Sequence, residues 1–147
     1  MISNKEKAAV SKSWLMRSHG SHRYIKALER RRASFTFANI TKYENDGSCR
    51  PDAIENAQET KMLEYSEINR VIDETRAEVE ASDVETIRTI NQLTSNLQKS
   101  ILVERYINLS NWDEIARRVG YSRAHVQRLH GVALLAIYKI LYMEGKA

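Results

Sequence analysis

One proline and five glycines in 147 residues leave few places where the chain must turn. That scarcity excludes a turn-rich all-β fold and favours long helices. A lone cysteine, Cys49, can neither close an internal disulfide nor supply a thiolate-rich metal site. No run approaches the ~18 apolar residues that a membrane span needs. The polar start Met1-Ile2-Ser3-Asn4-Lys5 has no signal-peptide core. Apolar residues nonetheless make up 42%, enough for a real core and more than disorder would allow. A chain of this size typically buries ~68–70% of its unfolded surface, as one domain or two small ones. The expectation is a soluble, intracellular, mostly helical protein.

The net charge of +4 matters less than its distribution. Residues 1–34 carry nine Lys/Arg against Glu6 and Glu29, a net of +7, and residues 35–50 balance at zero. Residues 51–100 carry five basic and eleven acidic side chains, and residues 101–147 carry seven and four. Two basic ends flank an acidic middle. Such asymmetry points to ends that meet a polyanion, against the plainer reading of solvated helix faces.

Residues 2–17 form a short amphipathic stretch with Val10 and Trp14 at helical spacing. His19-Gly20-Ser21-His22 then interrupts it, with Gly20 as a stop and Ser21 as a candidate N-cap. Helical patterning resumes over residues 22–40, although the alternation of Phe35-Thr36-Phe37 also fits a strand. Residues 43–51 are the clearest loop, holding Asn45-Asp46-Gly47-Ser48 and the only proline. Pro51-Asp52 suits the first turn of a helix that runs to about Glu80. Met62, Tyr65, Ile68, Ile72 and Val79 give it a narrow apolar seam, with most of the acids on its other faces. With the preceding basic helix it predicts an antiparallel hairpin. Ser82-Asp83, with Glu85 three residues after Ser82, reads as a new capping box. Val84, Ile87, Ile90 and Leu93 are the expected apolar face beyond it.

The last third carries the functional signal. Leu97, Ile101, Leu102 and Tyr106 line a helix from about Ser95, and Leu109-Ser110-Asn111 breaks it. Asn111 and Glu114 form a second capping-box pattern, and Ile115, Ala116 and Val119 give the next helix its buried side. Gly120 stands where a tight turn needs positive φ. Tyr121 anchors that turn, and Ser122 caps a helix with Val126, Leu129 and Ala133 inward. This is helix–turn–helix spacing. A small residue (Ala116) lets two helices cross closely, glycine four positions later reverses the chain, and a branched residue (Val126) wedges between them.

The outward face of the second helix carries Arg123, Ala124, Gln127 and Arg128, with His125, His130 and Gly131 nearby, and no acid occurs between Tyr121 and Tyr142. Arg can bond guanine and Gln adenine bidentately in the major groove. Ser122 and the helix N-terminus suit a phosphate. Candidate base or groove contacts are therefore Ser122, Arg123, Ala124, His125, Gln127, Arg128 and His130. Arg117 and Arg118 are candidate phosphate contacts, as are Arg23, Lys26 and Arg30, which share one helical face. The rival reading of that upstream stripe is a solvated face paired with the acidic helix.

Tyr106-Ile107, Trp112-Asp113-Glu114-Ile115-Ala116, Gly120-Tyr121-Ser122-Arg123 and Leu129-His130-Gly131-Val132-Ala133-Leu134 resemble the C-terminal module of phage late-transcription regulators of the ArpU/RinA type. The module is similar to the promoter-reading helix–turn–helix at the C-terminal end of bacterial sigma factors. The close match spans residues 97–141, with a looser one upstream in the basic helical start, the Asp-Gly loop and the acidic helix. The resemblance implies a phage or prophage protein of a low-GC Gram-positive host. It would act in the cytoplasm on late or packaging genes, in contact with host RNA polymerase. Ala124 and His125 stand where sigma factors often carry charged residues, so the sigma-factor target sequence does not transfer.

Nothing in the sequence suggests an enzyme: no nucleophile–base pair, no Gly-rich phosphate loop and no carboxylate dyad. His19, His22 and Cys49 lack the ligand spacing of a zinc site, and no cofactor is expected. The apolar tail Val132, Leu135, Ala136, Ile140 and Leu141 is longer than the helix–turn–helix needs, and serves either the upstream helices or a homodimer seam. The expected architecture is all-α, with a helical hairpin over residues 1–81 and a helix–turn–helix domain over residues 82–147. The expected function is recognition of double-stranded DNA in transcription. Rivals are a small terminase-like packaging protein and a helical adaptor or inhibitor that binds a host protein.

Overall fold

The computed structural model describes residues 1–35 and 51–147. Every regular element among them is an α-helix: α1 (Asn4–Leu15), α2 (His19–Ala33), α3 (Pro51–Ile90), α4 (Asn96–Tyr106), α5 (Trp112–Val119) and α6 (Arg123–Met143). The protein is all-α, and no helix among the described residues is long and apolar enough to cross a membrane. The predicted loop lies outside the described residues up to Pro51, which opens α3.

The helices sort into two compact units, His19–Glu80 and a discontinuous one made of Met1–Ser18 with Ala81–Ala147. Residues 1–18, expected with the hairpin, belong instead to the unit of the C-terminal helices. The reason lies in what α1 buries. Ser3 and Glu6 close a capping box that starts it. Its buried side is Ser11 and Leu15, with Ala8 and Trp14 partly covered, while Val10 faces out. Leu15 enters a cluster with Ile90, Leu93, Leu102, Tyr106, Ala133, Leu134, Ile137 and Leu141. Burying such a leucine contributes about 1.5–3 kcal/mol. The Ser11 hydroxyl, fully buried, donates to the Leu134 carbonyl at 2.7 Å, so no polar group is stranded. Of the apolar tail, Leu141 is buried and Ala136 and Ile140 pack on this cluster, while Val132 stays exposed.

Gly20 and Ser21 do not stop or cap a helix. The chain turns at Met16–Ser18, and α2 already begins at His19.

Nor does α3 break at Ser82. It runs unbroken to Ile90, with no glycine or proline to interrupt it. The Ser82 carbonyl accepts from the Thr86 hydroxyl and from the Arg17 guanidinium, both at 3.0 Å. Arg17 also bonds Thr86 and Glu85 and stacks on Trp14 at 3.8 Å. The buried stripe beyond residue 81 is Thr86, Thr89, Ile90 and Leu93, whereas Val84 and Ile87 are about half exposed. Threonine substitutes for a larger apolar group because the Thr86 hydroxyl is satisfied within the fold.

In the unit His19–Glu80, Ile25 of α2 packs with Ile68, Ile72 and Val79 of α3, joined by Leu28 and Phe35. Met62 and Tyr65, expected in the same seam, are exposed. Polar pairs flank the cluster: Arg76 to Glu29 at 2.9 Å, Arg32 to Asn69 at 3.0 Å and Arg31 to Glu64 at 2.8 Å. Glu29 pairs with Arg76, whereas Arg31 and Arg32, further along α2, pair with the earlier α3 residues Glu64 and Asn69, which makes the two helices antiparallel.

Candidate nucleic-acid interface

Three helices build the C-terminal motif, and each begins on a side-chain cap. Ser95 accepts from the Gln98 N–H at 3.3 Å to start α4. Asn111 accepts from the Glu114 N–H at 2.9 Å, and the Glu114 carboxylate accepts from the Asn111 N–H at 3.3 Å, so the predicted capping box starts α5. Ser122 accepts from the His125 N–H at 3.2 Å to start α6. Each such cap is worth about 1 kcal/mol.

Between α5 and α6 the chain reverses at Gly120, whose φ of 77° and ψ of 27° are left-handed. The Gly120 and Tyr121 N–H groups both donate to the Ala116 carbonyl, at 3.0 and 3.2 Å, and close the end of α5. Only glycine takes this conformation at no steric cost. Tyr121 does not plug the motif's core. Its ring is half exposed and tilts over His125 at 5.0 Å. The core is a triangle of Ile101, Ile115 and Val126, one from each helix and all fully buried, ringed by Leu97, Trp112, Ala116, Val119 and Leu129.

The turn between α4 and α5 is held by a polar knot. Glu104 accepts from the Ser110 hydroxyl at 2.9 Å and from Arg118 at 2.6 Å, and Arg118 also reaches the Ser110 hydroxyl at 2.8 Å. Burial pushes the Glu104 carboxyl up, but the hydrogen bonds from Ser110 and Arg118 outweigh it and leave its pKa below the ordinary range. Arg118 is thus committed to α4. Arg117 beside it is exposed.

On α6 the side chains of Ser122, Arg123, Ala124, Gln127 and Arg128 are exposed, as their spacing predicted, and His125 is half-buried. Arg123 lies 3.4 Å from Asp113, both exposed. Such a surface pair contributes ~0–1 kcal/mol, little enough for Arg123 to exchange its partner. Gln127 and Arg128 make no side-chain hydrogen bond among the described residues.

His130 is placed elsewhere. Its Nε2 lies 2.7 Å from the Tyr106 hydroxyl, its ring stacks on Tyr106, and Trp112 meets it edge-on at 4.8 Å. Burial, then the cations of Arg105 and Lys12, lowers its pKa to about 4. Burial likewise pushes the Tyr106 hydroxyl up to about 12. The phenol therefore keeps its proton and shares a hydrogen bond with a neutral imidazole, its direction set by the imidazole tautomer. His130 joins α6 to α4 and α5 and is not on the exposed face. Its position, four after Val126 and three before Ala133, is the signal for this placement, since both neighbours are buried.

A pH dependence follows. Between about pH 6.5 and about 4 the unfolded chain binds a proton at this imidazole and the folded chain does not. Stability therefore falls as pH falls through that window. Urea unfolding at pH 7 and pH 4.5 should show a larger loss for the wild type than for His130→Gln. Equal losses would mean that the imidazole titrates in the fold as it does in water.

Gly131, on the outward side of α6, meets no crowding: a Cβ there would find no atom within 4 Å. No contact among the described residues requires it. Arg23, Lys26 and Arg30 belong to the other unit, on the exposed side of α2. Comparison with known proteins finds no match to a family model, a curated protein or a solved structure.

Proposed function

We propose that the chain is a sequence-specific duplex-DNA-binding regulator of transcription, of the phage late-gene type that its C-terminal residues resemble. The reading rests on one observation. A glycine-closed turn presents a helix whose exposed face carries Arg123, Ala124, Gln127 and Arg128, and residues 122–141 contain no acid. In the major groove Arg123 and Arg128 offer bidentate donors to guanine, and Gln127 bonds adenine through its amide. Ser122 and the first-turn N–H groups of α6 lie where a helix–turn–helix meets a phosphate, and α5 crosses the backbone. His125 and Arg117 flank that contact. His130 acts from behind, by fixing α6 against Tyr106 and Trp112. Contact with host RNA polymerase and activation of late genes are part of the same proposal and rest on the resemblance alone.

Selection from random duplex DNA at physiological salt tests it. The wild type should enrich a motif, and the Arg123→Ala/Gln127→Ala/Arg128→Ala variant should lose it, each contact being worth ~1–3 kcal/mol of discrimination. No enrichment, or equal recovery by the variant, would overturn the reading in favour of a protein-binding unit.

A further inference from the structure

We propose that the outer face of α2 is a second contact surface for duplex DNA, one that grips the sugar–phosphate backbone without regard to base sequence. The inference rests on the reading of α6 as a DNA-binding element, and assigns a separate role to the other unit.

The charges of α2 are sorted by side. It carries Arg23, Lys26, Arg30, Arg31 and Arg32 against a single acid, Glu29. Near the packed side every charge is matched within the unit. Glu29 is held by Arg76, Arg31 by Glu64, and Arg32 by the Asn69 amide. The Arg31–Glu64 bond leaves its mark on both groups, lowering the Glu64 carboxyl and raising the guanidinium. On α3, Arg70 is likewise held between Glu67 and Glu74.

Arg23, Lys26 and Arg30 share none of this. All three are exposed and pair with no acid among the described residues, although α3 is rich in carboxylates. At 100° per residue they fall within roughly 60° of one another, opposite the Ile25 and Leu28 side that α3 covers. A face that served only solvation would carry both signs of charge, as the exposed faces of α3 do.

The geometry favours nucleic acid over an acidic protein. Seven residues of helix span about 10.5 Å, so the three cations stand about 5 Å apart in a row. One strand of duplex presents a phosphate every ~3.4 Å along its axis, a comparable linear density of opposite sign. A protein-docking face would need a central aromatic or aliphatic anchor. Beside the row stands Ala27, a side chain short enough to let the helix lie close to a phosphate strand, and the exposed aromatic Tyr24 falls about 100° round the helix from Arg23, outside the row.

The test is the salt dependence of binding by the full chain, on the selected duplex and on a scrambled duplex, between 50 and 200 mM salt. An Arg23→Gln/Lys26→Gln/Arg30→Gln variant keeps the helix-forming character of the face and removes its charge. Its slope of log K against log salt should be shallower by about 2.7 on both duplexes, with motif preference unchanged. Over that fourfold range the wild type should then weaken about 40-fold more than the variant. An unchanged affinity and slope on both duplexes would overturn the proposal. The Arg123→Ala/Gln127→Ala/Arg128→Ala variant separates the two readings, since it should lose preference between duplexes and keep the α2 contribution to the slope. A wild type without preference refutes the reading of α6, while its slope on scrambled duplex still decides the role of α2. A melting temperature of the glutamine variant close to the wild type excludes misfolding as the cause.

Discussion

Replacing Ile115 with alanine should destabilise the C-terminal unit by about 2–5 kcal/mol, the usual range for truncating a fully buried isoleucine. Ile115 has no exposed surface and meets Ile101 of α4 and Val126 of α6 in one cluster. No neighbour can fill the space without moving a whole helix, because each of the three sides comes from a different element. α5 has eight residues, far below the length at which an isolated helix holds together in water. Its structure therefore depends on this contact more than on its own hydrogen bonds. For a chain of this size the loss corresponds to a melting temperature lower by on the order of 10 °C. Binding to the selected duplex should fall with it, although Ile115 touches no outward position. Thermal unfolding of Ile115→Ala beside a surface control on α6 measures the effect. Unchanged melting would remove the Ile101–Ile115–Val126 triangle as the support of the motif.

Gly120→Val should cost about 1–3 kcal/mol, by a different route. A Cβ at position 120 would meet nothing within 4 Å, so crowding does not enter. The whole penalty is backbone strain at a φ of 77°, which a β-branched residue tolerates poorly. That makes the order of substitutions a sharper test than any single value. Gly120→Asn should be nearly tolerated, because asparagine enters the left-handed region readily. Gly120→Ala should be intermediate and Gly120→Val worst. An order set by side-chain volume rather than by backbone preference would sink the turn assignment. The strained variants should also misdirect α6, since the Ala116 carbonyl takes both N–H groups of the reversal.

The parts of the fold legible in the sequence are those fixed by local chemistry. Asn111 with Glu114, Gly120 and Ser122 each act within four residues of themselves, and their pattern predicted the caps and the left-handed turn. The exposed set on α6 followed from the 3.6-residue period alone. Long-range partners were not legible. Ser82-Asp83-Val84-Glu85 has the form of a capping box, but a cap worth about 1 kcal/mol competes with continuing the helix. Arg17, 65 positions away from the Ser82 carbonyl it binds, favours continuation. His130 reads as outward because it follows Arg128, yet its burial depends on Tyr106 and Trp112, which only the folded chain brings together. The stripe of α2 was visible as a pattern of cations. That Arg31 and Arg32 are engaged while Arg23, Lys26 and Arg30 are not required knowing where α3 lies.

The bond from Ser11 to Leu134 joins residues 123 positions apart, and this sets an order of events during translation. The cluster of Ile25, Ile68, Ile72 and Val79 comes from one continuous stretch, so its members are all synthesised before α4 is begun. Leu15 must wait for Leu134, Ile137 and Leu141. Until they emerge, α1 is a 12-residue helix that is marginal alone, whatever its capping box contributes. A nascent chain therefore completes the α2–α3 pair first and the unit that contains α6 last. A copy cut short before residue 134 would carry the basic face of α2 on a formed pair of helices, with its candidate base-reading helix incomplete.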